Sequence, residues 1–493
     1  MTTTTTHFDV LIVGAGISGI GAAYHLKTYR PGTTFAVLEG RESIGGTWSL
    51  FRYPGIRSDS DMPSFGYGFK PWIHRKAIAD GHIIMDYLRQ TVTENRLEEH
   101  IRFGYRVLGA QFSSPEGLWT VTARHSGSDE TVQFSARFLF LGTGYYDYDA
   151  GFTPEFQGVE DFGGQLIHPQ HWPEDLDYTG KRVVVIGSGA TAVTLIPSMA
   201  GKAAHITMLQ RSPSYVFSIP AEDAIANVLN KVVGPGAPTG SPGARTSCST
   251  AASTRPASAP QVDAQAADRQ RAPATAQGLR RRHPLHTALQ PVGSAAVHGA
   301  RRRPVQGDLG RAGFGGHRPD RAVHRDRHPA GIGSGVGRRH HRHRDRPQHA
   351  AVRKDPARRR RSAVNLPDTT VYKSMMLSGV PNLVFALGYT NISWTLKVDL
   401  VCEHFCRLLD HMDAHGYHTV EPVLRDPHMQ RVPLLDMSSG YVQRAIAKFP
   451  RGGTSGPWTV QMAYEKDVER LRRGPVTDPA LEFSVHQAAR LAS

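Results

Sequence analysis

Apolar residues gather in short bursts near the start of the chain, and their spacing predicts its architecture. Phe8 to Val13 is an apolar run, Ile17 to Leu26 carries small and apolar residues at helical spacing, and Phe35 to Leu38 is a second run. Strand, helix and strand in this order make a βαβ unit, which favours a parallel sheet with a right-handed crossover. The same pattern returns at Val183 to Ile186, Ala190 to Met199 and Ile206 to Leu209, and Phe138 to Leu141 reads as a strand closing the first unit. Farther on, Thr370 to Leu377 and Leu383 to Leu387 read as strands and Leu396 to Met412 as an amphipathic helix. From residue 421 onward no motif is legible. The expected fold is α/β, with two Rossmann-like dinucleotide-binding domains, the first of them discontinuous.

The turns between these elements carry the first chemistry. Gly14-Ala15-Gly16-Ile17-Ser18-Gly19 follows a strand and opens a helix. Gly14 permits the tight turn, Gly16 lets a diphosphate approach the backbone, and Gly19 allows close packing of helix on strand. The free N–H groups of the helix then face the diphosphate. Glu39 ends the next strand, where a carboxylate accepts ribose hydroxyls. Gly187-Ser188-Gly189-Ala190-Thr191-Ala192 repeats this logic, but the following strand ends in Gln210-Arg211-Ser212 with no acid. A guanidinium there suits a 2′-phosphate, which favours NADPH over NADH. Two such sites in one chain suggest FAD at the first and NADPH at the second. A disulfide reductase shares that layout but needs a CxxC pair, and Cys248, Cys402 and Cys406 do not supply one.

Charge changes the picture in one segment only. The net charge of +15 would suggest a nucleic-acid partner. Yet residues 241–361 hold 26 Lys and Arg against 7 Asp and no Glu, while the remainder holds 32 basic and 36 acidic residues. Nucleic acid is therefore not the expected partner. The ten histidines of the basic segment and its Arg358-Arg359-Arg360-Arg361 run suggest no metal site. No apolar run is long enough for a transmembrane segment, and the threonine tract at the start lacks the features of a signal peptide. A cytoplasmic setting is expected, with peripheral membrane association left open.

Between the two glycine turns lies a sharper signal. Phe162-Gly163-Gly164-Gln165-Leu166-Ile167-His168-Pro169-Gln170-His171-Trp172-Pro173 fits the pattern FxGxxxHxxxWP, and Gly45-Gly46-Thr47-Trp48 continues through Tyr53-Pro54-Gly55 to Asp59. On these motifs the chain resembles the type I Baeyer–Villiger monooxygenases, over residues 7–230 and about 363–470. The run Phe51-Arg52-Tyr53-Pro54-Gly55-Ile56-Arg57-Ser58-Asp59-Ser60-Asp61 is most similar to the ethionamide-activating branch. The resemblance implies an FAD- and NADPH-dependent enzyme that inserts one atom of O2 into a ketone, or oxygenates sulfur in a thioether, through a peroxyflavin. It implies that Gly14, Gly16, Ser18, Gly19 and Glu39 hold FAD, that Gly46, Thr47, Trp48 and Asp59 line the flavin, and that Arg57 and Ser58 lie near the nicotinamide cofactor. Gly187, Ser188, Gly189, Thr191, Ala192, Arg211 and Ser212 are implied on the NADPH side. Asp59 is expected to position a catalytic arginine, and His168 to couple NADPH binding to domain rotation. Trp394 and Lys397 match a late segment near the pocket. An N- or S-oxygenating flavin monooxygenase is the near alternative, and the Trp172-Pro173 ending counts against it.

The expected domains are residues 1–150 and 362–493 for FAD, with 151–234 as the start of an NADPH domain. Residues 235–361 break the resemblance. From 241 to 361 there is no Tyr, Trp or Glu, one Phe (Phe314) and one Ile (Ile332), a composition that cannot build a packed core. The family's catalytic arginine is not found in this stretch as written. A shifted reading frame restores it. Synonymous codons for Leu279 to Val297 permit the hidden string YDVDTHFTPRYNPWDQRLC, and those for Arg339 to Lys354 permit DIIVTATGLNMLPFGK. Both look like the family's missing sequence, with the arginine in WDQR and the linker in ATG. One frameshift near residue 235 and a compensating one near 361 account for this. A non-enzymatic product of a disrupted gene is then the alternative from another class.

Overall fold

β1 (Thr6–Val13) takes the middle of a sheet because Val10, Leu11 and Ile12 are apolar on both faces and wholly buried. It pairs in parallel with β2 (Phe35–Leu38) on one side and β6 (Thr131–Leu141) on the other. In this computed structural model, residues 5–128, 130–149, 151–211, 222, 363–435 and 440–485 are described. The basic segment, Cys248 and Ser212 lie outside them. The full sheet has seven strands. Its order is β3 (Ile101–Arg102), β2, β1, β6, β5 (Leu118–His125) and β4 (Tyr105–Ser113), with β11 (Leu383–Phe385) also on β6. β6 serves three partners: β1 runs parallel along it from Phe134 to Leu141, while β5 runs antiparallel to its first half and β11 parallel to its end.

The sheet is covered by α1 (Ile17–Tyr29) and by α4 (Trp394–Ala414), which pack on each other. Gly21 makes that approach feasible, since a Cβ there would stand 2.8 Å from Val398 Cγ1 and 3.2 Å from Tyr67 Cε1. α2 (Gly81–Glu94) adds Ile84, Leu88 and Val92 to the same core. Buried His25 and Asp399 tie α1 to α4 at 3.3 Å, and Asp399 also accepts the Gly68 N–H at 2.7 Å.

The second βαβ unit consists of β7 (Arg182–Ile186), α3 (Ala190–Met199) and β8 (His205–Leu209), with β7 and β8 parallel. Leu195 and Met199 of α3 bury against Tyr53 of the first domain. Gly55 is what lets the chain lie so close. It sits at φ 79°, where only glycine is unstrained, and a Cβ would meet Ser198 Oγ at 2.0 Å.

One expectation is corrected. Thr370 to Leu377 is not one strand but a tight hairpin of β9 (Val371–Tyr372) and β10 (Met376–Leu377). Lys373 and Ser374 turn it in the left-handed region, at φ 46° and 57°. The neighbouring chain fixes that turn, with the Lys373 N–H donating to Pro457 O at 2.7 Å and its ammonium to Pro475 O at 3.0 Å. The tail is also structured: Thr419–Pro422 pairs antiparallel with Leu481–Ser484, and Arg431–Pro433 with Arg451–Gly453. Among the described residues, no helix is long and apolar enough to cross a membrane.

Candidate functional site

The first glycine turn is closed by its own backbone. Gly14 adopts φ 98°, and a Cβ on Gly19 would lie 1.8 Å from Gly14 O. Gly16 lies against Gly46, with 3.6 Å between its Cβ position and the Gly46 Cα. The turn is held from the side by Glu39: the Ala15 N–H donates to Oε2 at 2.7 Å and the Arg41 N–H to Oε1 at 3.0 Å. Burial pushes the Glu39 carboxyl up, and these two N–H groups pull it back toward ionisation. From α4, Trp394 Nε1 donates to Ser18 Oγ at 2.9 Å, so the C-terminal half of the chain clamps the same turn.

A cavity of about 920 Å³ opens above the turn. Gly14, Gly16, Ser18, Glu39, Gly46, Thr47 and Trp48 line it, joined by Arg57, Ser58 and Asp59 from the next loop. Ser188, Gly189 and Thr191 of the second glycine turn face the same space. Both turns therefore converge on one cavity. Tyr53 joins them by packing on Leu195 and Met199 of α3, and burial raises its pKa while Thr191 and Thr194 draw it back. Desolvation by the surrounding protein raises the carboxyl of Asp59, although that residue stands exposed on the open cavity wall, and lowers the Arg57 guanidinium, the latter partly offset by Asp80. Arg57 Nη2 is buried with no hydrogen-bond partner. A buried donor left bare on a cavity wall marks a place for an acceptor.

Five of the expected site residues stand off the cavity wall. Gly19 packs beneath the first turn, Gly187 forms the second turn at φ 124°, and Ala192 is buried in α3. Arg211 is exposed just past β8. His168 caps a short turn, Pro169–His171, with Nδ1 accepting the Gln170 N–H at 3.2 Å. Its ring fills the space beside Gly151, and burial lowers its pKa. Spacing alone missed Arg41, Tyr145, Tyr148 and Tyr389, which also line the cavity. Tyr145 stacks obliquely on Trp394 at 5.5 Å.

A domain whose βαβ glycine turn shares a cavity with that of a second βαβ unit defines a two-dinucleotide oxidoreductase scaffold. The model of an NAD(P)-binding Rossmann-like domain matches residues 12–74, and that of a flavin-binding monooxygenase-like family matches residues 69–228. The chain is 41% identical to the FAD-containing monooxygenase EthA of Mycolicibacterium smegmatis, over 99% of both chains. It is 41% identical to the putative FAD-containing monooxygenase MymA of Mycobacterium tuberculosis, over 97% of this chain and 98% of that one. The chain belongs to the FAD-containing monooxygenases. Among solved structures, a steroid monooxygenase bound to NADP is 35% identical at a TM-score of 0.40, covering 46% of this chain and 42% of that one.

Proposed function

We propose that the cavity binds FAD along the first glycine turn and NADPH along the second, on the plan of a Baeyer–Villiger monooxygenase. The convergence of both turns on one cavity, with Arg57 Nη2 unpaired in its wall, is the observation that supports this. FAD is held by the domain formed from residues 1–150 and 362–493, and NADPH by the domain that begins at 151–234. The substrate is a ketone or a thioether, with O2, and the setting is cytoplasmic.

The residues fit the cofactors. Gly14 and Gly16 bare the backbone to a diphosphate, and α1 meets it with free N–H groups. Glu39 keeps acceptor capacity for the ribose hydroxyls beyond the two N–H groups it already serves. Arg57, with a vacant donor, meets an anionic or carbonyl oxygen. Trp48, Tyr145 and Trp394 exclude water from the reacting centre. Bound here, FAD would supply oxygen activation and NADPH the reducing equivalents for it. Arg211 meets the 2′-phosphate, Asp59 orients the family's arginine, and His168 transmits NADPH binding through the linker.

A second reading has its own support. Residues 241–361 hold no Tyr or Trp, one Phe and one Ile, too poor in large apolar residues for a domain core, so the chain as written holds FAD without completing the NADPH half. DNA sequencing across codons 225–370 tests the frame. The chain as written is expected to purify with flavin and to oxidise little NADPH. A frame-restored gene is expected to yield ester from a ketone or sulfoxide from a thioether. Equal turnover by both proteins overturns the frameshift reading, and absence of flavin from both overturns the assignment of the cavity.

A further inference from the structure

The loop between β11 and α4 supplies Leu387 to Ile392 to the cavity wall. Tyr389 in that loop is 4% exposed, and its hydroxyl donates to Asp467 Oδ2 at 2.8 Å. Lys397, one turn into α4, bonds the same oxygen. Its ammonium lies 5.2 Å from the centroid of the Tyr389 ring. Asp467 is wholly buried and Lys397 is 2% exposed. Asp467 Oδ1 has no hydrogen-bond partner.

A buried ion pair is costly to desolvate, and apolar residues of the same volume often replace such a pair without loss of stability. This one is also imperfectly satisfied, so stability is a poor account of it. Neither Asp467 nor Lys397 lines the cavity, so neither touches what the cavity holds. Tyr389 does line it, and its phenol proton is committed to Asp467, away from the cavity. Freed of that bond, a phenol is a hydrogen-bond donor able to rotate toward any acceptor nearby. Asp467 Oδ2 accepts both bonds, one from the Tyr389 hydroxyl and one from the Lys397 side chain, and so holds the phenol proton on the far side of the wall.

We propose that Asp467 and Lys397 are positioning residues that hold the Tyr389 hydroxyl behind the wall, so that the flavin cavity presents an aromatic ring and no phenol donor there. This rests on the cavity being the FAD site. It adds a constraint on the wall that is set by residues near the end of the chain.

The full-length chain, loaded with FAD, provides the test, read by the visible flavin bands and the flavin midpoint potential. Two double variants remove the charges together and leave neither partner stranded. Lys397→Met with Asp467→Asn keeps an amide oxygen to accept the phenol proton, and the wild-type spectrum is expected. Lys397→Met with Asp467→Leu removes the acceptor. It is expected to shift the flavin bands and raise the potential, and adding Tyr389→Phe is expected to reverse both changes. A merely structural pair would give no shift, or one that Tyr389→Phe does not reverse, and either result overturns the proposal. Tyr389→Phe alone decides the matter even where the leucine variant does not fold. Unchanged flavin bands support a hydroxyl turned away, and altered bands overturn it. A wild-type chain that takes up no FAD fails the cavity assignment and this proposal together. A wild-type chain that binds FAD, with an unaltered leucine variant, fails the proposal alone.

Discussion

Glu39 does two jobs that substitution can separate. Its carboxylate is 7% exposed and accepts the N–H groups of Ala15 and Arg41. Ala15 is fully buried, so Glu39→Ala strands its N–H away from water. An unpaired buried donor costs about 1–3 kcal/mol, and we expect the cofactor-free chain to lose about 2 kcal/mol to urea unfolding. Loss of a hydrogen bond from a ribose hydroxyl to an ionised acceptor adds about 1.5–3 kcal/mol in binding. FAD affinity, followed by quenching of flavin fluorescence, is therefore expected to fall by roughly tenfold to a hundredfold. Glu39→Gln keeps an acceptor for Ala15 but turns an N–H2 toward Arg41, so its stability loss is smaller while its FAD loss remains. The pH dependence has a definite sign. Burial raises the Glu39 carboxyl above the ordinary 4.5, so the folded chain holds this proton more tightly than the unfolded one. The corresponding stability is present below 4.5 and is lost as pH rises through the raised value. Glu39→Gln removes that decline. Unchanged apo stability in Glu39→Ala, together with FAD affinity within about threefold of wild type, would refute both roles.

Gly55→Ala forces a left-handed backbone and a Cβ 2.6 Å from Thr194 O; it is expected to cost about 2–4 kcal/mol in urea unfolding. Burial, aided by Lys373, pushes His404 down to about 3. The stability this carries is present above 6.5 and is lost as pH falls toward 3, by as much as about 5 kcal/mol. His404→Leu should flatten that acid limb in unfolding measured from pH 7 to 3. Arg57→Met relieves a buried, unpaired guanidinium nitrogen. It is expected to raise apo stability by about 1 kcal/mol while weakening NADP binding at least several-fold in equilibrium dialysis of the frame-restored protein.

Elements with a continuous buried run or one buried face were the legible ones. Phe35 to Leu38 falls where the apolar pattern places it because all four residues are buried, and Ala190 to Met199 does so through one buried face made by Ala192, Thr194, Leu195 and Met199. Strand β4 left no such trace, although its partner β5 alternates and buries Trp119, Val121 and Ala123. β4 is mostly exposed, and its register shifts between Val107 and Gly109, so no clean alternation survives. The turn at Lys373 and Ser374 carries neither glycine nor asparagine; contacts with Pro457 and Pro475, about a hundred residues away, impose it. The site divides the same way. Glycine turns and Glu39 are local and were readable. Tyr389 with Asp467 was not, because the two lie 78 residues apart and nothing local marks the pair.

The three partners of β6 also set the order of events during synthesis. Leu139 pairs with Leu383, which the ribosome adds 244 residues later. At about 5–20 residues per second, that interval lasts roughly 10–50 s. For that time the nascent sheet has an open apolar edge at Leu139 to Leu141, and α1 has no α4 to cover it. Strands in that condition recruit chaperones or each other. The yield of folded protein in the cell is therefore governed by how long the first third of the chain waits for the last.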